Sequence, residues 1–410
     1  MVVFINMKIL IVSQYYYPEQ FQINYIAPEL VKRGHEVTVL CGVPNYPKGV
    51  VFPGYESPEN RAREETEYFN NSGVRVIHVR QIPRGRNPFS LLLNYWSFVK
   101  NGRKAVAGLA DDFDIVLGYQ LSPVTSMVPA LEYKRLHGRP VLFYTLDIWP
   151  VSAESMLKSR KNPLYPFVSN ISRKIYKEAD RIIVTSRPFI DYLMKENGVE
   201  AQRLGYLPQH AGTEMLGMDL TAEANGVADF MFAGNMGAGQ RLDVIIEAAA
   251  IIGARKDYKI HFVGDGRMRE RLEAMVAERG LQDNVIFYGN QKREDMPKFY
   301  KMADVLLITL RGNNEVGNTM PGKLQMYMTT GKPILGAING AAKEVIEESG
   351  CGACVAAGDA RGLAELMLEY IETPQKFSGC GGKSRAYFKE NFTLDKFMAG
   401  IEQELKNCLQ

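Results

Sequence analysis

Five stretches of the chain combine residue types that do chemistry. Phe232-Ala233-Gly234-Asn235-Met236-Gly237-Ala238-Gly239-Gln240-Arg241 follows an apolar run and opens a helical pattern. Its three glycines let backbone approach a phosphate, and a helix N-terminus adds partial positive charge and free N–H groups. The same glycines also suit a turn that serves packing alone. Val263-Gly264-Asp265-Gly266 again ends a strand and precedes a helix, so Asp265 reads either as a ligand contact or as a helix cap. Glu315-Val316-Gly317-Asn318-Thr319-Met320-Pro321-Gly322-Lys323-Leu324-Gln325-Met326-Tyr327-Met328 reads as a loop and then a helix starting near Pro321. Proline suits a first helical turn, and Lys323 beside that N-terminus makes a second site for a phosphate-sized anion; the plainer reading is a surface lysine. Finally, Ser13-Gln14-Tyr15-Tyr16-Tyr17-Pro18-Glu19-Gln20 and Asp147-Ile148-Trp149-Pro150 each follow a strand. The tyrosines offer stacking faces and hydroxyls suited to a sugar, or aromatic packing under a loop. Asp147 can take a proton from a hydroxyl, or cap a helix.

Other chemistries find little support. The five histidines form no ligand pair at helical spacing, and Asp112-Phe113-Asp114 precedes a strand instead of following one, which argues against a metal site there. The five cysteines are odd in number and scattered, unlike a disulfide framework. Cys351-Gly352-Ala353-Cys354 spells C-x-x-C, but zinc needs two more ligands and none is nearby in sequence. The glycine loop is not G-x-G-x-x-G, so a nicotinamide dinucleotide fold is not indicated. A net charge of +3 is too mild to argue for nucleic acid and suits a small anionic substrate or an anionic membrane edge.

The elements that must position these residues come in two series. With 410 residues, at roughly 150 per domain, two or three domains are expected. Strands are predicted at Lys8 to Ser13, Glu36 to Cys41, Val74 to Val79, Asp114 to Gly118, Val141 to Thr145 and Arg181 to Thr185. After a polar stretch near 208–226 the pattern restarts, with strands at 230–233, 260–263, 285–288, 305–308 and 333–335. Helical stretches, such as Phe21 to Arg33, Leu242 to Ile252 and Leu394 to Cys408, separate or follow them. Near-continuous apolar strands imply parallel sheets covered on both faces. In such sheets ligands bind beyond the carboxyl ends of strands, which is where all five stretches fall. The apolar N-terminal run lacks a small-residue cleavage site and reads as a buried first strand, with Met7 a possible natural start. No run approaches the roughly 18 apolar residues of a spanning helix, so a cytoplasmic protein is expected.

Gly34-His35-Glu36-Val37-Thr38-Val39, Gly234-Asn235, Gly264-Asp265-Gly266 and Pro321-Gly322-Lys323-Leu324 with Gly331-Lys332-Pro333 resemble, in order and spacing, the family-4 nucleotide-sugar glycosyltransferases. The likeness extends to bacterial capsule, exopolysaccharide and O-antigen enzymes, especially amino-sugar (fucosaminyl-type) transferases. The resemblance implies a GT-B fold: two Rossmann-like doubly wound parallel-sheet domains facing a cleft. Residues 1–210 would hold the acceptor and 211–390 the nucleotide sugar, with 391–410 a helix returning to the first domain. The implied donor contacts are Gly234, Asn235, Gly237, Gln240, Arg241, Gly264, Asp265, Gln291, Asn318, Pro321, Gly322, Leu324 and Gln325. The acceptor contacts are Gln14, Tyr15, Tyr16, Tyr17 and Trp149, and the catalytic pair is Asp147 and Lys323. This chain departs from the family where two glutamates are usual, at Asn318 and Met326, and where a phosphate-binding Arg and Lys are usual, at Asn235 and Gln240. Lys323 and Arg241 are left as the expected cationic clamp.

The function implied is retaining, metal-independent transfer of a hexose-type sugar, expected from a UDP-linked donor, to a glycan or polyprenyl-diphosphate-linked saccharide. No metal or cofactor is expected beyond the nucleotide sugar as substrate. A non-catalytic partner subunit is the rival that Asn318 and Met326 favour; a sugar-nucleotide epimerase would need an acid–base set the sequence does not display. Within 84–104, Leu92, Tyr95, Trp96 and Val99 share a helical face bracketed by Arg84, Arg86, Lys100, Arg103 and Lys104. That pattern fits a core helix or peripheral contact with the inner membrane.

Overall fold

Short runs of four to seven residues, mostly branched and aromatic, build the central strands of this computed structural model, which describes residues 6–85, 87–157, 159–312 and 320–410. The chain divides into two units, one comprising the residues up to Leu207 together with Met398–Gln410, the other Pro208–Phe397.

The first unit is a seven-stranded sheet: β1 (Lys8–Val12), β2 (Glu36–Gly42), β3 (Arg75–Val79), β4 (Ile115–Gln120), β5 (Val141–Thr145), β6 (Arg181–Val184) and β7 (Leu204–Tyr206). Every pairing is parallel and the order is β3-β2-β1-β4-β5-β6-β7. All of β4 and β5 is buried, as a sheet covered on both faces requires. The strand order reverses between β1 and β4, a crevice where doubly wound sheets bind ligands. The last helix, Leu394–Leu409, gives Met398 onward to this unit: Glu402 meets His35 at 3.1 Å and Glu404 accepts from Arg181 at 2.8 Å.

The second unit repeats the plan with six parallel strands: β8 (Ala228–Ala233), β9 (Tyr258–Val263), β10 (Val285–Gly289), β11 (Val305–Thr309), β12 (Ile334–Ala337) and β13 (Gly352–Val355). Their order is β10-β9-β8-β11-β12-β13, which places the reversal between β8 and β11. Phe230, Phe232, Phe262 and Leu307 fill one side of this sheet, and Met231, Leu306, Ile308 and Tyr327 the other.

Two edge strands, β7 and β13, escape the sequence pattern. The first has three residues, and the second is Gly-Ala-Cys-Val, too small in side chain to read as a strand. Gly352 is required there, because a Cβ would lie 1.8 Å from the Ile334 carbonyl oxygen of β12. Cys351 and Cys354 flank and join this strand as free thiols.

Candidate active site

Residues gather at the β8–β11 crevice of the second unit. Strand β8 ends at Ala233, and Gly234 turns with φ 140°. A Cβ on Gly264, after β9, would lie 2.0 Å from the Gly234 carbonyl oxygen, so the two loops pack backbone on backbone. A Cβ on Gly234 would lie 3.0 Å from Lys323 Nζ. These glycines therefore satisfy packing and also open a cavity of about 690 Å³, lined by Gly234, Asn235, Gly264, Asp265, Gly266, Asn290, Gln291, Met296 and Tyr300. That volume suits a small-molecule ligand. Asp265 does not cap the following helix, Arg269–Glu278, whose N-cap is Met268; its carboxylate accepts from Gly266 N at 2.7 Å. Gln291 Nε2 donates to the Tyr288 carbonyl at 2.8 Å, which sets its side chain at the rim.

Gly237 precedes a single 3-10 turn, Ala238–Gln240, and the helix proper begins at Asp243. Between them Arg241 takes φ 50°, a left-handed conformation uncommon for a residue with a Cβ. Its guanidinium grips Asp243, with Nε 3.0 Å from both carboxylate oxygens, so the cation expected to share the clamp carries its own counter-ion.

Pro321 is the N-cap of the helix Gly322–Thr330, and among the described residues nothing would meet a Cβ at Gly322. The first N–H groups of a helix lack intrahelical partners, so this exposed end offers donors. Lys323 turns back toward β8: its Nζ donates to Gln240 Oε1 at 3.0 Å and lies 3.4 Å from the centroid of the Phe232 ring. Burial alone pushes its ammonium down to about 7. Among the described residues it has no ion pair. Leu324 is fully buried, so only its backbone can serve a ligand, and Gln325 is buried with its amide donating to the Gln209 carbonyl. Met326 lines a neighbouring cavity of about 480 Å³ with Met215, Met218 and Met296; Met296 and Tyr300 border both cavities. Asn318 lies outside the described residues, as do Arg86 and the residues before Asn6.

The first unit collects its own set past β1 and β5. Asp147 accepts from the Ser122 and Ser152 hydroxyls, one at each oxygen, and burial raises its carboxyl above the ordinary range. Trp149 is 6% exposed and packs into the core; its indole N–H donates to Ser122 Oγ at 2.9 Å, so it positions that serine instead of presenting a stacking face. Tyr16 is buried against Tyr68, hydroxyl to hydroxyl at 3.0 Å, whereas Tyr17 is 42% exposed and stacks on Tyr68. Gln14 is buried and donates to Asn94 Oδ1 at 2.9 Å, and its Oε1 has no partner among the described residues. Tyr15 stacks on Phe21, and its hydroxyl accepts from Arg84 at 3.0 Å. Two further residues join this set that are not among the acceptor contacts expected from the sequence, where Arg84 counts only as a basic flank of 84–104 and Glu19 only as part of the 13–20 stretch. Arg84 faces Tyr15, Tyr46 and Tyr95. Glu19 is 2% exposed, accepts from the Asn45 and Tyr46 N–H groups at 2.7 and 2.6 Å, and is pushed by burial up to about 7. No local signal points to their roles here, because their partners are distant in the chain.

The helix Pro88–Val106 is split by face. Tyr95 and Phe98 point inward, while Phe89, Leu92 and Trp96 are 71%, 52% and 55% exposed. The single stripe read from sequence is therefore two: Tyr95 belongs to the core, and Phe89 joins Leu92 and Trp96 outside. Among the described residues no helix is long and apolar enough to cross a membrane.

Two doubly wound parallel sheets, each with a polar set at its reversal point, are the architecture of GT-B glycosyltransferases. Residues 20–210 match the glycosyl transferase 4-like domain, and residues 221–393 match glycosyl transferases group 1. Over 353 residues the chain is 25% identical to the putative colanic acid biosynthesis glycosyl transferase WcaI of Escherichia coli K12, covering 79% of this chain and 82% of that one. Over 163 residues it is 25% identical to N-acetyl-alpha-D-glucosaminyl L-malate synthase of Bacillus anthracis, 40% of this chain and 41% of the other. Among solved structures, Anabaena HepE in complex with UDP superposes with a TM-score of 0.69 at 15% identity, covering 98% of this chain and all of that one. The chain belongs to the family-4 glycosyltransferases of GT-B fold.

Proposed function

We propose that the second unit binds a UDP-linked sugar and that the protein transfers the sugar, with retention, to a hydroxyl of a glycan or lipid-linked saccharide in bacterial surface polysaccharide synthesis. The observation that carries this reading is Lys323: a partly buried cation without an ion pair among the described residues, held beside an exposed helix N-terminus and a glycine-lined cavity. A diphosphate supplies the counter-charge such a site lacks. The colanic acid relative supports a polysaccharide setting, and the glucosaminyl relative an amino sugar.

In this reading the diphosphate lies against the Gly322 and Lys323 N–H groups and the Lys323 ammonium. Charge grows on the leaving diphosphate as the glycosidic bond breaks, and donors already in place stabilise it without reorganising. A metal is then not needed for charge compensation. Asp147, on the first unit, would accept the proton of the attacking hydroxyl; its raised basicity suits that task. Retention follows when the hydroxyl attacks the face that the diphosphate leaves.

The outward stripe of Phe89, Leu92 and Trp96, with Lys100 4.9 Å from the Trp96 ring and Lys104 in the last turn, supports peripheral seating on an anionic bilayer. Such a surface is where a polyprenyl-diphosphate acceptor is found.

The test is a thermal-shift screen against UDP, GDP, ADP and dTDP, with and without a chelator. Nucleotide at about 100 times its dissociation constant stabilises by about 2.7 kcal/mol. A shift with UDP that survives chelation and is lost in Lys323→Ala supports the proposal. No shift with any nucleotide, from folded protein, removes it in favour of a non-catalytic partner.

A further inference from the structure

We propose that Arg84, framed by Tyr15, Tyr46 and Tyr95, is a phosphate-binding subsite on the first unit. The inference rests on the reading of that unit as the acceptor's. Arg84 Nη1 donates to the Tyr15 hydroxyl at 3.0 Å, its guanidinium lies 5.3 Å from the centroid of the Tyr46 ring, and Tyr95 faces it from the helix Pro88–Val106. None of these partners cancels its charge. Tyr15 is buried and its phenol is held neutral well above the ordinary range, so the guanidinium keeps a full positive charge among uncharged hydroxyls and rings. Among the described residues Arg84 has no ion pair.

The site is built, not incidental. Arg84 N donates to Asn45 Oδ1 at 2.8 Å, and Glu19 holds the Asn45 and Tyr46 N–H groups from beneath. The loop carrying Tyr46 and the segment carrying Arg84 are thus locked together before any ligand arrives. A guanidinium carries five N–H donors, so with the Tyr15 and Tyr95 phenols engaged it retains further donors matched to an oxyanion. Gln81, three residues before Arg84 in the chain, is buried with both ends of its amide unpartnered among the described residues. Buried polar atoms left unpaired mark a place where water or a ligand completes the bonding. The position beyond β1 and β3 is the ligand-binding end of this sheet.

The chemistry recognised is a phosphate group, and it has two sources: the diphosphate of a prenyl-linked saccharide, or free phosphate. The experiment is calorimetry on the full chain with saturating UDP present, so that the second unit's cavity is filled, titrating a ten-carbon prenyl diphosphate and, separately, inorganic pyrophosphate. Both probes are run against the wild type, Arg84→Gln, Arg84→Lys and Tyr15→Phe. The subsite is upheld if a probe binds the wild type, weakens tenfold or more in Arg84→Gln and less in Arg84→Lys, and UDP affinity stays within twofold in all variants. Tighter binding of the prenyl probe than of pyrophosphate assigns the site to the lipid-linked source; equal binding assigns it to free phosphate. The subsite is overturned if neither probe binds, or if binding is unchanged in both Arg84 variants. UDP binding without Arg84-dependent phosphate binding leaves the transferase reading standing and removes this inference; the reverse result keeps the subsite and removes the donor reading.

Discussion

The Lys323 ammonium lies 3.4 Å from the centre of the Phe232 ring, so the helix that follows the donor loop sends its charge over a buried aromatic of the first strand in its unit. A cation there gains from the ring's negative face but loses water. Its other contact, Gln240 Oε1, is neutral. Replacing it by an apolar chain of similar length, Lys323→Met, is expected to weaken UDP about 10- to 100-fold, as losing a charge-assisted bond worth about 1.5–3 kcal/mol implies. The free protein should become more stable at neutral pH, because the cost of desolvating the ammonium is removed. Calorimetry with UDP and a melting curve of the apo protein measure the two effects. A loss of both affinity and stability would show that the lysine is a structural element instead.

The same lysine makes nucleotide binding depend on pH. Its folded value of about 7 lies below the ordinary 10.5, so it contributes stability that is present above pH 10.5 and lost as pH falls through 7. In the free protein at pH 8 only about a tenth of the molecules carry this proton. A bound diphosphate favours the charged form and raises the value. Binding at pH 8 should therefore take up close to one proton, and affinity should fall as pH rises above 7. Titrations at pH 8 in two buffers of different ionisation enthalpy read the uptake directly. Lys323→Met should abolish it; uptake that persists in the variant would locate the proton elsewhere.

Gly264 and Gly239 separate packing from mere flexibility in the donor loops. A Cβ on Gly264 meets the Gly234 carbonyl oxygen at 2.0 Å, with φ at +132°. Gly264→Ala must push the two strand ends apart and is expected to cost about 2–4 kcal/mol and to close the cavity to UDP. Gly239 has an ordinary φ and, among the described residues, nothing within 4 Å of its Cβ position. Gly239→Ala should be within about 0.5 kcal/mol of the wild type. Urea unfolding of both variants tests the contrast, and equal stability of the two would refute the backbone-contact account.

Much of this fold was legible because central parallel strands are buried on both faces and read as unbroken apolar runs, as in Val141–Thr145. Edge strands carry no such requirement, and Leu204–Tyr206 and Gly352–Val355 left no pattern. Site chemistry was legible where a motif is local. The glycines at 234 and 264 and the lysine at 323 stand in short strings that bind or pack through backbone. It was illegible where a side chain's role is set across the sheet. Trp149 owes its buried position to Ser122 and to Ser172, which donates to its carbonyl at 2.8 Å. Arg84 acquires its meaning only when residues 15, 46 and 95 converge on it. Gln240 reads in sequence as a lost lysine; in space its side-chain oxygen receives Lys323.

Glu19 supplies a last, independent test of the first unit. Its Oε1 accepts two backbone N–H groups, while its Oε2 is buried with no partner among the described residues. Burial outweighs those bonds and lifts the carboxyl from 4.5 to about 7. A raised value means that its contribution to stability is full below pH 4.5 and is lost as pH rises through 7. The loss is at most about 3 kcal/mol, since each tenfold change in a proton's dissociation constant is about 1.4 kcal/mol. Glu19→Gln keeps an acceptor for Asn45 and Tyr46 but cannot ionise. Its stability relative to the wild type should rise between pH 4.5 and 8 and level off above. Paired unfolding curves at pH 4.5, 6 and 8 measure that difference. A difference that is flat with pH would mean that the carboxylate is already ionised at low pH, and that the two N–H bonds outweigh its burial.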